Sequence, residues 1–381
     1  MKTIYLDYNA TTPIAPSVQE AMAPFFTRHY GNPSSHHTLG RACFEAVEDA
    51  RGQVAALFRA DPREVIFTSG GTESNNLALK GTLLAKSPAA GGHLVISAIE
   101  HPAVVQPAKF LERLGYGVTI VPCSADGLVD PDDVRKVLRP DTVLVSIMHA
   151  NNEIGTVQPI REIATMCHQA GVLVHTDAAQ TVGKIDTIPD ELEVDLLTLA
   201  GHKIYGPKGV GALYVRRGVS LEPVLHGADH EFGLRAGTEN VPYIVGLGQA
   251  AVLGSKAVDG MSQRLCDLRN KLHAALAGAI GPDLVVHGKE ADRLPNTLSV
   301  SFPGIQGSDL LAQVPEICAS TGAACHSEDM SMSATLAAIG TTPELAAGTV
   351  RFSFGWYTSE EEVSAAADRL IGAYESLKAA L

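Results

Sequence analysis

Apolar residues in the first two thirds of the chain form short continuous runs, and stretches of helical character separate them. The runs rich in Val, Ile and Leu predict six strands, at residues 64–68, 93–97, 142–148, 172–175, 196–199 and 211–215. Helices are predicted between them, from residue 74 onward and over residues 103–114 and 160–169. Continuous apolar runs separated by helices are typical of parallel sheets covered on both faces. The pattern therefore predicts an α/β fold, in which helices sandwich a mostly parallel sheet.

The last third of the chain has a different pattern, with shorter strands in which apolar and polar residues alternate. These strands are predicted at residues 284–286, 296–302 and 349–354, and helices at 261–279 and 360–381. A chain of 381 residues is long enough for two domains. We therefore predict a large domain over residues 13–255 and a smaller α+β domain formed by residues 1–12 and 256–381.

Composition and charge are those of an ordinary globular protein, and they argue against some partners. Hydrophobic residues make up 45% of the chain and charged residues 19%, and the formal net charge is -13. Such a charge disfavours non-specific binding to nucleic acid or to anionic lipid. The sequence shows no apolar stretch as long as a membrane span and no signal sequence at its N-terminus, so we expect no membrane association and a cytoplasmic protein.

The six cysteines show no pattern that predicts a metal site. None forms a Cys-x-x-Cys pair, and no group of Cys and His has the spacing of a zinc finger. In the cytoplasm we expect them to be reduced. Five are interpreted as small apolar residues. Cys325 differs, because its segment is rich in Gly, Ala and Ser, which suits an accessible nucleophile as well as a core position.

Reactive polar residues follow five of the predicted strands at their carboxyl ends. These segments are residues 69–75, 100–102, 149–153, 177–180 and 200–203. Open parallel sheets bind their ligands outside the carboxyl ends of the strands. We therefore predict that the five segments line one shared cleft.

Individual residues of these segments suit the parts of one cofactor, although each also has a structural interpretation. Gly71 and Thr72 lie in a strand-to-helix turn that can hold a phosphate or be only a turn. Asp177 ends a very apolar strand, where it would pair with a protonated pyridine nitrogen or cap a helix. His101 could stack on a flat ring or be structural. Lys203, if partly desolvated, offers an amine that condenses with a carbonyl, whereas a lone lysine after a strand is more often exposed. Together they predict a site for pyridoxal 5′-phosphate.

The chain closely resembles the class V aminotransferase family of fold-type I pyridoxal phosphate enzymes. Within that family it is similar to the cysteine desulfurases and to their selenocysteine lyase relatives. The resemblance runs almost from end to end. It is carried by residues 5–13, 31–33, 67–75, 100–101, 146–155, 175–180, 201–215, 235–240, 321–325 and 351–353.

The resemblance implies a large domain with a seven-stranded sheet, a homodimer and a role for each matching residue. Lys203 would carry the cofactor and Asp177 would face its ring nitrogen. His101 would stack on the cofactor ring, and Gln180 and Asn152 would contact the region of its hydroxyl. Gly71, Thr72 and His202 would hold its phosphate, and Thr238 would contact the phosphate of the cofactor in the partner subunit. Arg351 and Asn152 would bind the carboxylate of the substrate. Ala200 also lies in the cofactor site, where many relatives have a serine, so the phosphate would have one donor fewer.

The resemblance also implies the reaction. A cysteine desulfurase converts L-cysteine to L-alanine, and Cys325 would take the sulfur as a persulfide for delivery to an acceptor, such as an iron–sulfur scaffold protein. Lys203 would move the α-proton, and His101 would handle protons during sulfur transfer. The attacking species is the thiolate, so the loop must lower the pKa of Cys325 or supply a base.

Other activities remain open at this point. The residues that follow Cys325, beginning with His326, are more similar to those of selenocysteine lyases, whereas the spacing to Gly340 is that of desulfurases with a longer loop. We therefore expect a cysteine desulfurase first and a selenocysteine lyase second. An aminotransferase of the same fold would use Lys203 without needing Cys325, and a non-catalytic scaffold would need neither.

Overall fold

The computed structural model describes residues 2–85, 91–322 and 332–380. The strands are β1 (Ile4–Tyr5), β2 (Val65–Thr68), β3 (His93–Ser97), β4 (Gly117–Val121), β5 (Thr142–Ser146), β6 (Leu173–Asp177), β7 (Leu196–Ala200), β8 (Gly211–Val215), β9 (Val285–Val286), β10 (Thr297–Ser301), β11 (Ile317–Cys318), β12 (Ser320–Thr321) and β13 (Thr349–Ser353). The helices are α1 (Pro16–Met22), α2 (Pro24–Thr27), α3 (Thr38–Phe58), α4 (Gly71–Asn76), α5 (Thr82–Ala85), α6 (Pro102–Arg113), α7 (Pro131–Val137), α8 (Ile160–Gln169), α9 (Pro189–Leu192), α10 (Val241–Ile280), α11 (Gly307–Gln313), α12 (Ala334–Ala338), α13 (Pro343–Ala347) and α14 (Glu360–Ala379). A π-helical segment, Leu77–Gly81, joins α4 to α5.

Seven strands form the larger sheet, in the order β2-β8-β7-β6-β5-β3-β4. Neighbouring strands in this sheet are parallel, except that β8 runs antiparallel to both β2 and β7. The prediction of a mostly parallel seven-stranded sheet is therefore confirmed. The residue pattern had predicted six of these strands and missed β4. Within the described part of the chain this strand pairs only with β3, at the sheet edge, and Ile120 on it is 55% exposed, so its apolar signal is weak.

Helices cover both faces of this sheet because each face carries a continuous apolar surface. On one face, side chains of α3, α8 and α10 join the strands in the main core, for example Val54, Ile163 and Leu247. On the other face, the helical segment that begins with α4 packs beside α6, through Leu79 and Leu111.

A second sheet of four antiparallel strands, β12-β13-β10-β9, has its own core with the second half of α10 and with α14. Strand β1 pairs in parallel with β11, so the first residues of the chain also pack against this core. The predicted domain boundary at residues 255 and 256 falls inside α10, which continues from one core into the other. The division into 13–255 and 1–12 plus 256–381 remains a prediction.

One described segment, Val241–Val258, is long and apolar enough to cross a membrane by length and composition. The expectation that no stretch reaches this length was therefore wrong. The segment forms the first half of α10, and Ile244, Leu247 and Ala250 lie in the main core with side chains of α3. Its apolar character is accounted for by this packing, because these side chains are buried inside the protein.

Candidate functional site

A cavity of about 530 Å³ opens at the carboxyl ends of the parallel strands, where the two cores meet. Ten residues predicted from the sequence line it: Gly71, Thr72, His101, Asn152, Asp177, Gln180, Ala200, His202, Lys203 and Arg351. The shared location of the first nine follows from the fold, because the ends of parallel strands meet at one edge of a sheet, whereas Arg351 comes from β13 of the smaller sheet. Their individual roles remain predictions.

Two predicted residues are absent from this set for different reasons. Thr238 is exposed in the loop ahead of α10 and does not line the cavity of its own chain. Cys325 lies outside the described residues.

Asp177 is the last residue of β6, a strand that is buried over most of its length. Its carboxylate is 7% exposed and is held on both oxygens. The side-chain amide of Asn75 donates to Oδ2 at 2.7 Å, and the backbone N–H of Ala179 donates to Oδ1 at 3.0 Å. These bonds keep a buried carboxylate directed into the cavity, where a cationic partner would stabilise it.

Lys203 lies in the short turn Gly201–Lys203 that follows the fully buried strand β7. Its Nζ donates to the backbone carbonyl oxygen of Asn9 at 2.5 Å and to that of Ala10 at 2.8 Å. The pKa of Lys203 is lowered to about 8, chiefly by burial and also by Arg351, while Asp177 and Asp7 oppose the change. The amine form of Lys203 is therefore accessible near neutral pH.

The turn before α4 offers free backbone donors to the cavity. Gly70 has a φ of +143°, in a region that favours glycine, and no side chain of the described residues caps the first N–H groups of the helix. Gly71 packs close to Ala200, since a Cβ added to Gly71 would lie 3.4 Å from the Cβ of Ala200. This arrangement suits an anion such as phosphate, because backbone N–H groups and the helix dipole favour negative charge there.

His202 adds an imidazole next to this turn. Its Nδ1 lies 3.2 Å from the hydroxyl of Thr11. Burial, together with smaller effects of Lys203, Lys208 and His101, lowers the pKa of His202 to about 4, so the ring is neutral at pH 7. A neutral ring held through Nδ1 leaves Nε2 for a ligand in the cavity.

His101 caps the N-terminus of α6, and Pro102 is the first residue of that helix. The backbone N–H of Ala103 donates to Nδ1 of His101 at 3.1 Å, so the neutral ring carries its proton on Nε2. Burial lowers the pKa of His101, Lys203 acts in the same direction, and Asp177 and Glu153 oppose them. The ring is fixed at the edge of the cavity as a neutral group that can exchange a proton.

Glu100, next to His101, does not line the cavity. It joins the ends of two strands, because its Oε1 accepts from the hydroxyl of Ser97 at 2.5 Å and from the backbone N–H of Met148 at 2.9 Å. Burial raises the pKa of Glu100 to about 8, so the side chain is largely a neutral acid at pH 7. Its place is structural, beside the end of β3.

Arg351, on β13, brings a cation to the cavity from the smaller sheet. Its Nη2 donates to Asp7 at 2.7 Å and to Ser320 at 2.8 Å, and its Nη1 donates to the backbone oxygen of Asn152 at 3.0 Å. Its buried Nε has no hydrogen-bond partner among the described residues. A guanidinium held in this way retains a donor for a carboxylate.

Asn9 and Asn75 were missed by the sequence-based prediction, and both line the cavity. Asn75 is within a segment that follows a predicted strand, so its position was a usable signal. Asn9 follows no strand of the larger sheet and comes instead after β1, which pairs with β11 and contributes to the second core. Its backbone oxygen accepts from both Lys203 and Gln180.

Comparison with known proteins defines the family. The sequence model described as Aminotransferase class-V matches residues 4–366. The chain belongs to the class V aminotransferase family, whose members are pyridoxal phosphate enzymes.

Individual relatives are similar over almost their whole length. The chain is 45% identical to a protein named cysteine desulfurase IscS from Dictyoglomus turgidum, over 99% of this chain and 96% of the relative. It is 43% identical to cysteine desulfurase IscS of Pseudomonas aeruginosa, over 98% and 93%. The resemblance to the cysteine desulfurases within the family is confirmed.

Solved structures agree with the fold. A NifS-like protein superposes with a TM-score of 0.90 at 37% identity, over 99% of both chains. A structure described as SspA in complex with cysteine superposes with a TM-score of 0.84 at 36% identity, over 94% of this chain and 100% of the other.

Proposed function

We propose that the protein is a pyridoxal phosphate-dependent cysteine desulfurase, which converts L-cysteine to L-alanine and transfers the sulfur to Cys325 as a persulfide. The observation that carries the proposal is the convergence in one cavity of the Lys203 amine, the Asp177 carboxylate and the Arg351 guanidinium. The cysteine desulfurases to which the chain is similar support the assignment of the reaction.

The residues of the cavity fit pyridoxal phosphate. The N–H groups of Gly71 and Thr72, together with His202, would hold its phosphate, and Asp177 would hold its ring nitrogen protonated. Lys203 supplies an amine for its aldehyde. When bound, this cofactor acts as an electron sink for the bonds at the α-carbon of an amino acid.

The chain's own groups account for substrate binding and proton movement. Arg351 would bind the carboxylate of L-cysteine through its guanidinium, with Asn152 beside it. Lys203, largely an amine above pH 8, would take the proton from the α-carbon. His101, with its proton on Nε2, would exchange a proton with the substrate during sulfur transfer.

Sulfur transfer is assigned to Cys325. Its thiolate forms a sulfur–sulfur bond with the substrate thiol sulfur while the bond from that sulfur to the β-carbon breaks. The electron pair of the broken bond remains on the substrate carbon side, which is protonated to give alanine. An acceptor protein, such as an iron–sulfur scaffold, would then take the outer sulfur of the persulfide.

The proposal includes a cytoplasmic homodimer. Thr238 is exposed and lies away from the cavity of its own chain, which suits a phosphate contact in a partner subunit. Ala200 in place of a serine would remove one hydroxyl donor, while the backbone donors and His202 would remain.

The pKa of Lys203 predicts the pH dependence of its reactivity. Because only the neutral amine reacts, acetylation of Lys203 in cofactor-free protein should reach half of its maximal rate near pH 8. Lys136 is the matched control, since its hydrogen bond to Asp133 raises its pKa and its rate should keep rising well beyond that pH. Quantitative peptide mass mapping gives both profiles. Superimposable profiles would contradict the desolvation of Lys203.

Comparison of two substrates tests the reaction itself. We expect L-cysteine to yield alanine and, with a thiol reductant, an equal amount of sulfide, and we expect mass mapping to find a persulfide on Cys325. The similarity of the residues after Cys325 to selenocysteine lyases makes L-selenocysteine the second candidate substrate. Turnover of L-selenocysteine alone would replace the proposal with a selenocysteine lyase, and conversion of an added keto acid to its amino acid without release of sulfur would indicate an aminotransferase.

A further inference from the structure

Lys184 is a buried lysine beside the cavity that the proposed reaction does not use. It lies in the turn that follows β6, four residues after Gln180, and only 8% of it is exposed. The described residues provide no carboxylate partner for its Nζ, whose two hydrogen bonds go to side-chain oxygens of Asn9, at 3.2 Å, and Gln180, at 3.0 Å. Burying an amine without a counter-ion is costly, so this position requires an explanation.

The charges around Lys184 make its burial more costly. Burial, followed by the nearby cations Lys203 and Arg351, holds the pKa of Lys184 well below its ordinary value. If this side chain only filled space in the core, an apolar residue such as methionine would serve as well. What lysine adds at this position is its hydrogen bonds to two side-chain oxygens.

The two contacts of Lys184 differ in how much depends on them. The Asn9 side chain is also held by Asn296, which donates to its Oδ1 at 3.0 Å, and by Thr297, whose hydroxyl accepts from its Nδ2 at 2.8 Å. The described residues give the Oε1 of Gln180 no donor other than Lys184. Loss of the Lys184 amine would leave Asn9 anchored, whereas the Gln180 amide would keep only the bond from its NH2 group to the backbone oxygen of Asn9 among the described residues.

The orientation of the Gln180 amide matters because it faces the cavity. With Oε1 occupied by Lys184, its NH2 group donates to the backbone oxygen of Asn9 at 3.0 Å, the same oxygen that accepts from Lys203. One of the two amide hydrogens makes this bond, and the other remains for a ligand in the cavity. A flipped amide would present an acceptor to the ligand.

We propose that Lys184 is a positioning residue, which fixes the Gln180 amide so that its NH2 group donates to an oxygen of pyridoxal phosphate next to Lys203. This inference rests on the proposed function, because it assigns Lys184 a role in holding that cofactor. Lys184 acts through Gln180 and makes no contact with the reacting atoms.

A double-mutant cycle tests the inference. Lys184→Met keeps the length and apolar stem of the side chain and removes the donor. Its dissociation constant for pyridoxal phosphate should rise about tenfold, the effect of one lost hydrogen bond, and the visible absorption band of the bound cofactor should shift. Gln180→Met should cause a similar loss, and adding Lys184→Met to it should cause little more, because both changes remove the same interaction.

The control is Lys80→Met. Lys80 is also partly buried with a lowered pKa, but its Nζ lies over the ring of Phe110, 4.4 Å from the ring centroid and outside the cavity. We expect this variant to bind the cofactor as the unchanged protein does. Additive effects of the Lys184 and Gln180 substitutions on cofactor affinity, or an unshifted band, would overturn the proposal and leave Lys184 a purely structural residue.

A second variant covers the case in which Lys184→Met does not fold. Gln180→Glu keeps an oxygen for Lys184 but removes the NH2 donor, so it should fold and show the same loss of cofactor affinity. Unchanged affinity in this variant would overturn the inference. Failure of the unchanged protein to bind pyridoxal phosphate would instead overturn the proposed function. Titration of the unchanged protein with the cofactor therefore distinguishes failure of the proposed function from failure of the inference about Lys184.

Discussion

Replacement of Lys203 by alanine is expected to lower the rate of alanine formation from L-cysteine by at least about a thousandfold. Lys203 is the amine whose Nζ lies at the cavity floor on the backbone oxygens of Asn9 and Ala10, and its pKa near 8 makes it both nucleophile and base. Loss of both roles leaves the cavity able to bind the cofactor only through non-covalent contacts. Steady-state kinetics with saturating cofactor measures the change.

The control for this substitution is Lys136→Ala on α7, which changes an exposed lysine far from the cavity. It should retain the original rate. Borohydride reduction followed by peptide mapping should find the cofactor attached to Lys203 in the unchanged protein and absent from the alanine variant. Full turnover by Lys203→Ala, or attachment at another lysine, would refute the assignment.

Replacement of Cys325 by serine is expected to reduce sulfide release by about a thousandfold or more, while the cofactor still binds. A serine hydroxyl is not ionised near neutral pH and does not form a persulfide, so sulfur cannot leave the substrate by this route. The assay measures sulfide and alanine together in the presence of a thiol reductant. The cofactor absorption band should be unchanged, since Cys325 is not assigned to cofactor binding.

Cys266→Ser provides the comparison for Cys325. Cys266 is a half-buried thiol on α10 that accepts a hydrogen bond from Arg269 at 3.0 Å, away from the cavity. This variant should keep its activity. Transamination with a keto acid should survive in Cys325→Ser if the protein has that side activity. Undiminished alanine formation by Cys325→Ser without added thiol would show that another group accepts the sulfur.

The sequence alone determined the alternation of strands and helices in the larger sheet and the segments that line the cavity. The reason is that buried parallel strands carry continuous apolar runs, and the residues that follow those runs lie at one edge of the sheet. Asp177 and Lys203 could be placed in a shared cleft on this ground alone. The signal failed for β4, whose edge position leaves Ile120 exposed, and for α3, which the sequence pattern did not predict.

Only the tertiary structure decided which groups hold the reactive residues in place. Asn9 reaches Lys203 across 194 positions of sequence, and Asn75 reaches Asp177 across 102, so neither contact has a local signal. The same holds for Arg351, which comes from the smaller sheet, and for the pKa of Lys203, which depends on how much water the folded chain excludes. Periodicity reports which side of an element is buried, whereas contacts between distant elements depend on how the whole chain packs.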